Sequence, residues 1–197
     1  MNTPIHTAYK PETTPGIKPT HPLDPLTLEE LAEATLLLRK EKQLSPSCRF
    51  PYLQLDEPAK DEVLAFEAGN PISRKAFAVV LDKSTGLIHE AKIDLIAEQI
   101  IEWKQLDPEV SGQPPIMIEE FFSCVDIVQA DEGFRAAVKR RGLTDKDIEN
   151  IQIDPWSFGY YGDDEKYRGR RLMRGKGNVR PTDKPQQGVV DIDATPT

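Results

Sequence analysis

The chain has 197 residues, 38% of them hydrophobic, and a formal net charge of −8 at pH 7. This length supports one ordinary domain or two small ones. The acidic balance disfavours nucleic acid and anionic membranes as partners, and no window holds the roughly 20 apolar residues that a membrane span needs.

Residues 1–20 are predicted to form a flexible arm, because prolines are frequent there and apolar residues are few. This segment lacks the apolar core of a secretory signal. Cys48 and Cys124 lie far apart and have no CxxC partner, which favours buried, reduced thiols over a disulfide framework. A soluble, cytoplasmic protein is therefore expected.

The first half of the chain reads as a helix followed by antiparallel strands. Thr27 and Glu30 have the spacing of a capping box. The helix that follows is predicted to bury one face, made of Leu28, Leu31, Ala32, Thr35 and Leu38. Next come an edge strand at 48–58 that carries Pro51, a short helix ended by Gly69, a hairpin over 75–95 and a further strand at 98–106.

The second half restarts after a Pro/Gly-rich stretch at 107–115, which is a linker by composition. A helix over 118–142 is expected to break at Gly133 and to end with Gly142 at C′. Its inner face would carry Phe121, Val125 and Val128. A capped turn and the strand "IQIDPW" follow.

The fold class predicted from this order is α+β, with two small consecutive domains that each combine helix and antiparallel sheet. The domains are placed at 21–107 and 118–197, with a linker at 108–117. No βαβ rhythm, heptad or internal repeat is evident in the sequence.

Candidate catalytic groups are few. The three histidines, His6, His21 and His89, have no metal-ligand spacing and are interpreted as structural or solvent-exposed. No phosphate-binding loop or nucleophile motif occurs. The sequence therefore predicts no catalytic, cofactor-binding or metal-binding residue in this chain.

A basic run is the strongest compositional anomaly. Next to the aromatic stretch "DPWSFGYYG" at 154–162, it has three interpretations: a single-strand nucleic-acid platform, a solvated face, or arginines paired to acids of another domain. The acidic remainder of the chain disfavours nucleic acid, so partners on another domain are preferred. The run comprises Lys166, Arg168, Arg170, Arg171, Arg174, Lys176 and Arg180.

Three stretches, taken in order, make the chain recognisable. They are "HPLDPLTLEEL", "IEEFFSCVDIVQADEGFRAAVKRRGLTDKDIENIQIDPWSFGYYG" and "RGRRLMRG". Together they resemble the N-terminal part of the copper-containing primary-amine oxidases, from about residue 21 to residue 175. The resemblance implies two cystatin-like α+β domains that precede a large β-sandwich catalytic domain in a homodimer.

The family reaction implied by this resemblance converts a primary amine, O₂ and water to an aldehyde, ammonia and H₂O₂. It uses copper and topaquinone, a cofactor made from a tyrosine in an Asn-Tyr-Asp/Glu motif. No tyrosine of this chain follows Asn, and no His-x-His pair occurs. A fragment that is inactive alone, and that partners a missing catalytic domain, is therefore expected. The alternative is a binding or assembly module for a separately encoded catalytic domain.

The sequence departs from the family pattern near its end. After "RGRRLMR" the family usually continues in an apolar strand, but "GKGNVRPTDKPQQG" is rich in poor strand formers. "VVDID", at 189–193, resembles the strand that usually comes later. The second domain is therefore expected to be incomplete or altered after residue 175.

One residue is a candidate for contact with substrate. The "DPW" stretch resembles a segment that lines the amine entry channel of the family, which makes Trp156 the substrate-channel candidate. An indole there would exclude water and let an apolar tail pass. The alternative is that Trp156 fills the domain core beside Phe158. Phe158, Tyr160 and Tyr161 are interpreted as packing residues.

Overall fold

The computed structural model describes residues 18–159, 165–178 and 192–194. The chain divides into two compact units, Met1–Leu106 and Asp107–Thr197. Each unit combines helices with an antiparallel sheet, which confirms the predicted α+β class. The predicted arm at 1–20 lies almost wholly outside the described residues.

From residue 18 onward, the first unit is a four-stranded antiparallel sheet in the order β1-β2-β3-β4, with helices before and between its strands. The predicted helix, hairpin and final strand are all present. The elements are α1 (Leu28–Glu41), β1 (Cys48–Leu55), α2 (Lys60–Leu64), β2 (Lys75–Asp82), β3 (Ile88–Asp94) and β4 (Gln99–Leu106).

Helix α1 begins with the predicted capping box. The Thr27 hydroxyl accepts a hydrogen bond from the Glu30 backbone N–H at 3.2 Å, and the Glu30 carboxylate accepts one from the Thr27 N–H at 2.8 Å. Two of the N–H groups that a helix start leaves unpaired are thereby satisfied. Arg39 and Lys40 stand in the last turn, where cations favour the negative end of the helix dipole.

The buried face of α1 agrees only in part with the predicted one. Leu38 is fully buried, as predicted, and so is Ala34, whereas Leu28 is 69% exposed and Ala32 is also exposed. The leucines of this helix lie on more than one face, so their spacing alone did not select the buried one. The core of the first unit comprises Ala34, Leu38, Cys48, Ala76, Ala78, Val80, Ala91 and Ile93.

Strand β1 is an edge strand, as predicted from Pro51. Its register with β2 shifts between Arg49 and Tyr52, around this proline, which has no N–H to donate to a ladder. Helix α2 was predicted to run to Gly69, but it ends at Leu64. Gly69 instead lies in a later turn with φ of 99°, a conformation that favours glycine.

Among its described residues, the second unit has four helices and a three-stranded antiparallel sheet in the order β5-β6-β7. The predicted "IQIDPW" strand is confirmed as β5. The elements are α3 (Pro108–Ser111), α4 (Ile118–Ala130), α5 (Glu132–Arg140), α6 (Asp145–Ile148), β5 (Gln152–Ser157), β6 (Met173–Asn178) and β7 (Ile192–Ala194). Its core comprises Val128, Phe134, Val138, Ile148, Ile151 and Ile153.

The predicted linker at 107–115 contains the short helix α3, which Asp107 caps through its side chain, with Pro108 at the first helical position. One local prediction for this unit was wrong. The break between α4 and α5 lies at Asp131, not Gly133. The Asp131 carboxylate accepts the Phe134 N–H at 2.6 Å and so starts a new helix. Gly142 does follow the C-cap of α5, with φ of 80°.

Strand β6 crosses the glycine-rich stretch that composition alone disfavours as a strand. Its glycines have a packing reason, because a Cβ on Gly175 would lie 3.1 Å from methyl groups of both Ile153 and Val128. Strand β6 pairs with β5 and with β7, whose three residues overlap the predicted "VVDID" strand. Residues 189–191 lie outside the described part of the chain.

Gly175→Val is therefore expected to destabilise the second unit by about 1–3 kcal/mol, the usual penalty for overpacking a filled core. Urea unfolding followed by Trp156 fluorescence, in a Trp103→Phe background, measures this change. The matched control is Lys176→Val, which places the same side chain on the next residue of β6, with the opposite orientation. Equal stability of the two variants would contradict the close packing at Gly175.

Candidate functional site around Trp156

Trp156 lies in strand β5 and is 59% exposed. Ile151 and Ile153 of the same segment are buried, and alternation along the strand directs Trp156 to the other side of the sheet. The interpretation of Trp156 as a core plug is therefore wrong. Its backbone pairs with Arg174 of β6, which fixes the position of the indole on the sheet.

A cavity of about 510 Å³ adjoins the indole. Its lining is almost wholly apolar and comes from three parts of the second unit: the segment before α4, the first turn of α4, and β5. An exposed aromatic ring beside such a cavity is a common arrangement for binding an apolar group. The lining residues are Pro115, Ile116, Phe121, Pro155, Trp156 and Ser157.

A larger cavity of about 850 Å³ shares Pro115, Ile116 and Ser157 with the first. Phe158 and Tyr167 belong to its lining and pack on each other with ring centroids 4.8 Å apart. Phe158 is half-buried and makes this ring contact, but it is not one of the core residues of the unit. Tyr160 and Tyr161 lie outside the described residues.

Some residues of the basic run contact partners within the second unit itself. Arg171 donates to both oxygens of the Glu120 carboxylate, at 2.6 Å each, and neither side chain is more than 18% exposed. Lys166 lies 5.2 Å from the ring centroid of Tyr167. The prediction that these arginines pair with another domain is therefore wrong for Arg171. Arg180 lies outside the described residues.

The Glu120–Arg171 pair was not predicted from the sequence, because 51 residues separate its members. One signal was present: Glu120 stands at the third position of α4, where its carboxylate accepts the Met117 N–H at 2.8 Å. A carboxylate at that position is favoured by the helix dipole and is available to Arg171, which lies in the segment just before β6.

The described histidines have structural contacts. The His21 Nδ1 accepts the Leu23 N–H at 3.1 Å. The ring of His89 stacks on Trp103 with centroids 4.4 Å apart, and burial lowers the pKa of His89. His6 lies outside the described residues.

Across the described ranges, no group of three or more His, Cys, Asp or Glu side chains is placed to hold a metal ion. Cys48 and Cys124 are both free, and burial raises the pKa of the Cys124 thiol. These residues do not fit copper, which proteins bind through convergent imidazole and thiolate groups. In the same ranges, no helix is long and apolar enough to cross a bilayer.

Comparison with known proteins identifies both units. Residues 27–102 match the family model of the AGAO-like N2 domain, and residues 119–184 match that of the copper amine oxidase N3 domain. The chain therefore belongs to the copper amine oxidase family and corresponds to two of its N-terminal domains. This confirms the resemblance found in the sequence.

Individual relatives agree with this assignment. The chain is 40% identical over 154 residues to a primary amine oxidase of Arthrobacter sp. (strain P1), a match that covers 78% of this chain and 22% of the relative. It is 33% identical over 175 residues to the histamine oxidase of Arthrobacter globiformis, covering 87% and 24% respectively. The chain thus spans less than a quarter of the length of these relatives.

A solved structure shows the same fold. The copper-containing benzylamine oxidase of Hansenula polymorpha superposes with a TM-score of 0.63 at 18% sequence identity. The superposition covers 84% of this chain and 26% of that one. At this identity the likeness concerns the arrangement of helices and strands.

Proposed function

We propose that this chain is the N-terminal two-domain region of a copper- and topaquinone-dependent primary-amine oxidase, and that it is catalytically inactive alone. Deamination would be carried out by a β-sandwich catalytic domain that these 197 residues do not include. In the complete, cytoplasmic enzyme, which we propose is a homo-oligomer, the two small domains would pack on that catalytic domain.

The observation that carries this proposal is the ordered match to N2 and N3 domains, together with the exposed indole of Trp156 beside an apolar cavity. The indole is exposed and lines an apolar cavity, an arrangement suited to contact with an apolar group. We propose that Trp156 forms part of the wall of the amine entry channel. There the indole would exclude water and contact the apolar tail of the amine as it passes.

Related oxidases act on amines of different size. One relative is a copper methylamine oxidase, another a histamine oxidase, and the structural neighbour a benzylamine oxidase. An apolar cavity of about 510 Å³ has room for an aliphatic or an aromatic tail. We therefore propose a primary amine with an apolar tail as the substrate class.

A chimera tests the role of Trp156. This chain would replace the matching N-terminal region of the Arthrobacter sp. (strain P1) primary amine oxidase, and kcat/KM would be measured for methylamine and benzylamine. Trp156→Ala is expected to change kcat/KM for benzylamine by roughly 5- to 20-fold, the effect of losing one aromatic contact, and to change it little for methylamine.

The matched control for this experiment is Phe122→Ala. Phe122 is also an exposed aromatic residue, at 66%, but it does not line the cavity of Trp156. Its replacement should leave the ratio of the two kcat/KM values unchanged. Equal behaviour of the two variants would contradict a specific role for Trp156.

The second candidate function is an assembly module that joins a separately encoded catalytic domain. The exposed apolar side chains of α4, including Ile118 and Phe122, at 70% and 66%, favour a surface that meets another protein. Mixing the purified chain with a separately expressed catalytic domain decides between the two. Activity restored on mixing favours the module, and activity only in the fused chimera favours the continuous enzyme.

A further inference from the structure

A clamp of four hydrogen bonds holds the segment that faces Trp156. Arg171 donates from Nε and Nη2 to the two oxygens of Glu120, and from Nη1 and Nη2 to the backbone carbonyls of Pro114 and Pro115, at 2.7 and 2.8 Å. The planar guanidinium thus joins the start of α4 to the two residues that lead into it. Charge-assisted, bidentate contacts of this kind are among the strongest hydrogen bonds in proteins.

The first unit contains the same clamp, atom for atom. Arg74 donates from Nε and Nη2 to the oxygens of Glu30, and from Nη1 and Nη2 to the carbonyls of Asp24 and Pro25, at 2.8 and 3.0 Å. The clamped segments read "DPLTLEE" at 24–30 and "PPIMIEE" at 114–120. The sequence therefore contains a short internal repeat at these two places. The expectation of no internal repeat was wrong.

Two consecutive prolines make a side-chain donor useful at this place in the second unit, although the first unit has the same clamp on Asp24 and Pro25. A proline has no N–H to contribute to a helix or a ladder, so Pro114 and Pro115 cannot be fixed by regular backbone hydrogen bonds of their own. Their carbonyls are strong acceptors that need partners when they are taken out of water. Arg171 supplies both donors from one rigid group.

The two clamps differ in what their segments line. Pro115, whose carbonyl accepts from Arg171, lines the cavity of Trp156, as does its neighbour Ile116. Phe121 lines the same cavity and directly follows Glu120, the other member of the clamp. Three of the side chains that face Trp156 are therefore attached to residues that Arg171 fixes or adjoins.

We propose that Arg171 is a positioning residue of the Trp156 site, acting through Glu120 and the carbonyl of Pro115 to hold one wall of the cavity against the indole. Its relevance to substrate rests on the proposed function of Trp156. The geometry of the clamp itself does not depend on that function. The clamp of Arg74 has the same chemistry and serves as an internal control, because it belongs to the first unit.

The experiment uses the full chain with Trp103→Phe, so that Trp156 is the single indole. Acrylamide quenching of Trp156 fluorescence is measured for the parent, for Arg171→Lys and for Arg74→Lys. Lysine keeps the charge but loses the planar fork. In Arg171→Lys the quenching constant should rise from a partly shielded value toward that of free N-acetyltryptophanamide, and in Arg74→Lys it should stay at the parent value.

A second variant covers the case in which Arg171→Lys fails to fold, as judged by circular dichroism. Glu120→Gln keeps an oxygen for the Met117 N–H but turns a donor toward Arg171, which opens one side of the clamp. It should raise the quenching constant in the same direction. The proposal would be overturned if the quenching constant of the folded variant equalled that of the parent. An equal rise of the quenching constant in Arg74→Lys would also overturn it.

The same substitutions in the chimera separate this inference from the proposed function. If both hold, Arg171→Lys shifts the benzylamine-to-methylamine ratio of kcat/KM in the same direction as Trp156→Ala, and Arg74→Lys does not. If Arg171→Lys exposes the indole while Trp156→Ala leaves the ratio unchanged, the clamp positions Trp156 but the channel function is wrong.

Discussion

Replacing Arg74 with alanine is expected to lower the free energy of unfolding of the first unit by about 3–5 kcal/mol, the usual cost of removing one partner of a buried ion pair. Arg74 and Glu30 are only 5% and 15% exposed, and their closest atoms are 2.7 Å apart. The change would leave a shielded carboxylate and two carbonyls without their donor. Urea unfolding followed by Trp103 fluorescence, in a Trp156→Phe background, measures the loss.

The control for this prediction is an exposed ion pair on α1, the helix that carries Glu30. Lys40 and Glu41 are 80% and 51% exposed and 3.5 Å apart. Because such pairs contribute about 0–1 kcal/mol, Lys40→Ala should change stability little. A similar loss in both variants would contradict the importance of the buried clamp.

The effect of Arg74→Ala should also depend on pH. Hydrogen bonding from Arg74 lowers the pKa of Glu30 below its ordinary value. A carboxyl whose pKa is lowered by folding stabilises the protein above its unfolded-state pKa of about 4.3, and this contribution is lost as the pH falls through the folded-state value. The stability difference between the parent and Arg74→Ala should therefore narrow in acid.

Leu38→Ala is expected to destabilise the first unit by about 2–5 kcal/mol, the range for removing a buried leucine side chain. Leu38 is fully buried in the core between α1 and the sheet, where its removal leaves a cavity. The same urea titration measures the change.

The control for Leu38→Ala lies two residues away in the same helix. Leu36 is 66% exposed, and Leu36→Ala changes the same side chain without opening a cavity. A surface change of this kind should stay within about 0.5 kcal/mol. Equal losses for the two leucines would mean that the assigned buried face of α1 is wrong.

Local signals in the sequence were sufficient for most of the first unit. Each of these signals acts over a few residues, so its interpretation does not require knowledge of distant contacts. They are the Thr27–Glu30 capping box, Pro51 at an edge, and the turn within the hairpin over 75–95. The buried face of α1 was only partly predicted because it depends on the sheet that α1 meets. The sheet contributes small residues such as Ala76 and Ala78, which accept Ala34 and Leu38.

The site was only partly predictable for the same reason. Trp156 was singled out because the stretch around it resembles a known segment. Its exposure depends on which side of the sheet each residue of β5 faces, and the buried Ile153 settles this only once the strand is placed. The Glu120–Arg171 pair joins residues far apart in sequence and has no local signature. The stretch around Gly175 shows the opposite error, because its composition argued against a strand that is in fact present. Val128 and Ile153 pack closely there and leave little room for a Cβ at residue 175.

The most direct test of the account is a peroxide assay on the purified 197-residue chain. The chain is incubated with copper, O₂ and methylamine, histamine or benzylamine, and H₂O₂ is detected by a peroxidase-coupled reaction. The chimera with the Arthrobacter catalytic region is the positive control. We expect peroxide from the chimera and none above the blank from the chain alone, and amine-dependent peroxide from the chain alone would contradict its assignment as a non-catalytic N-terminal region.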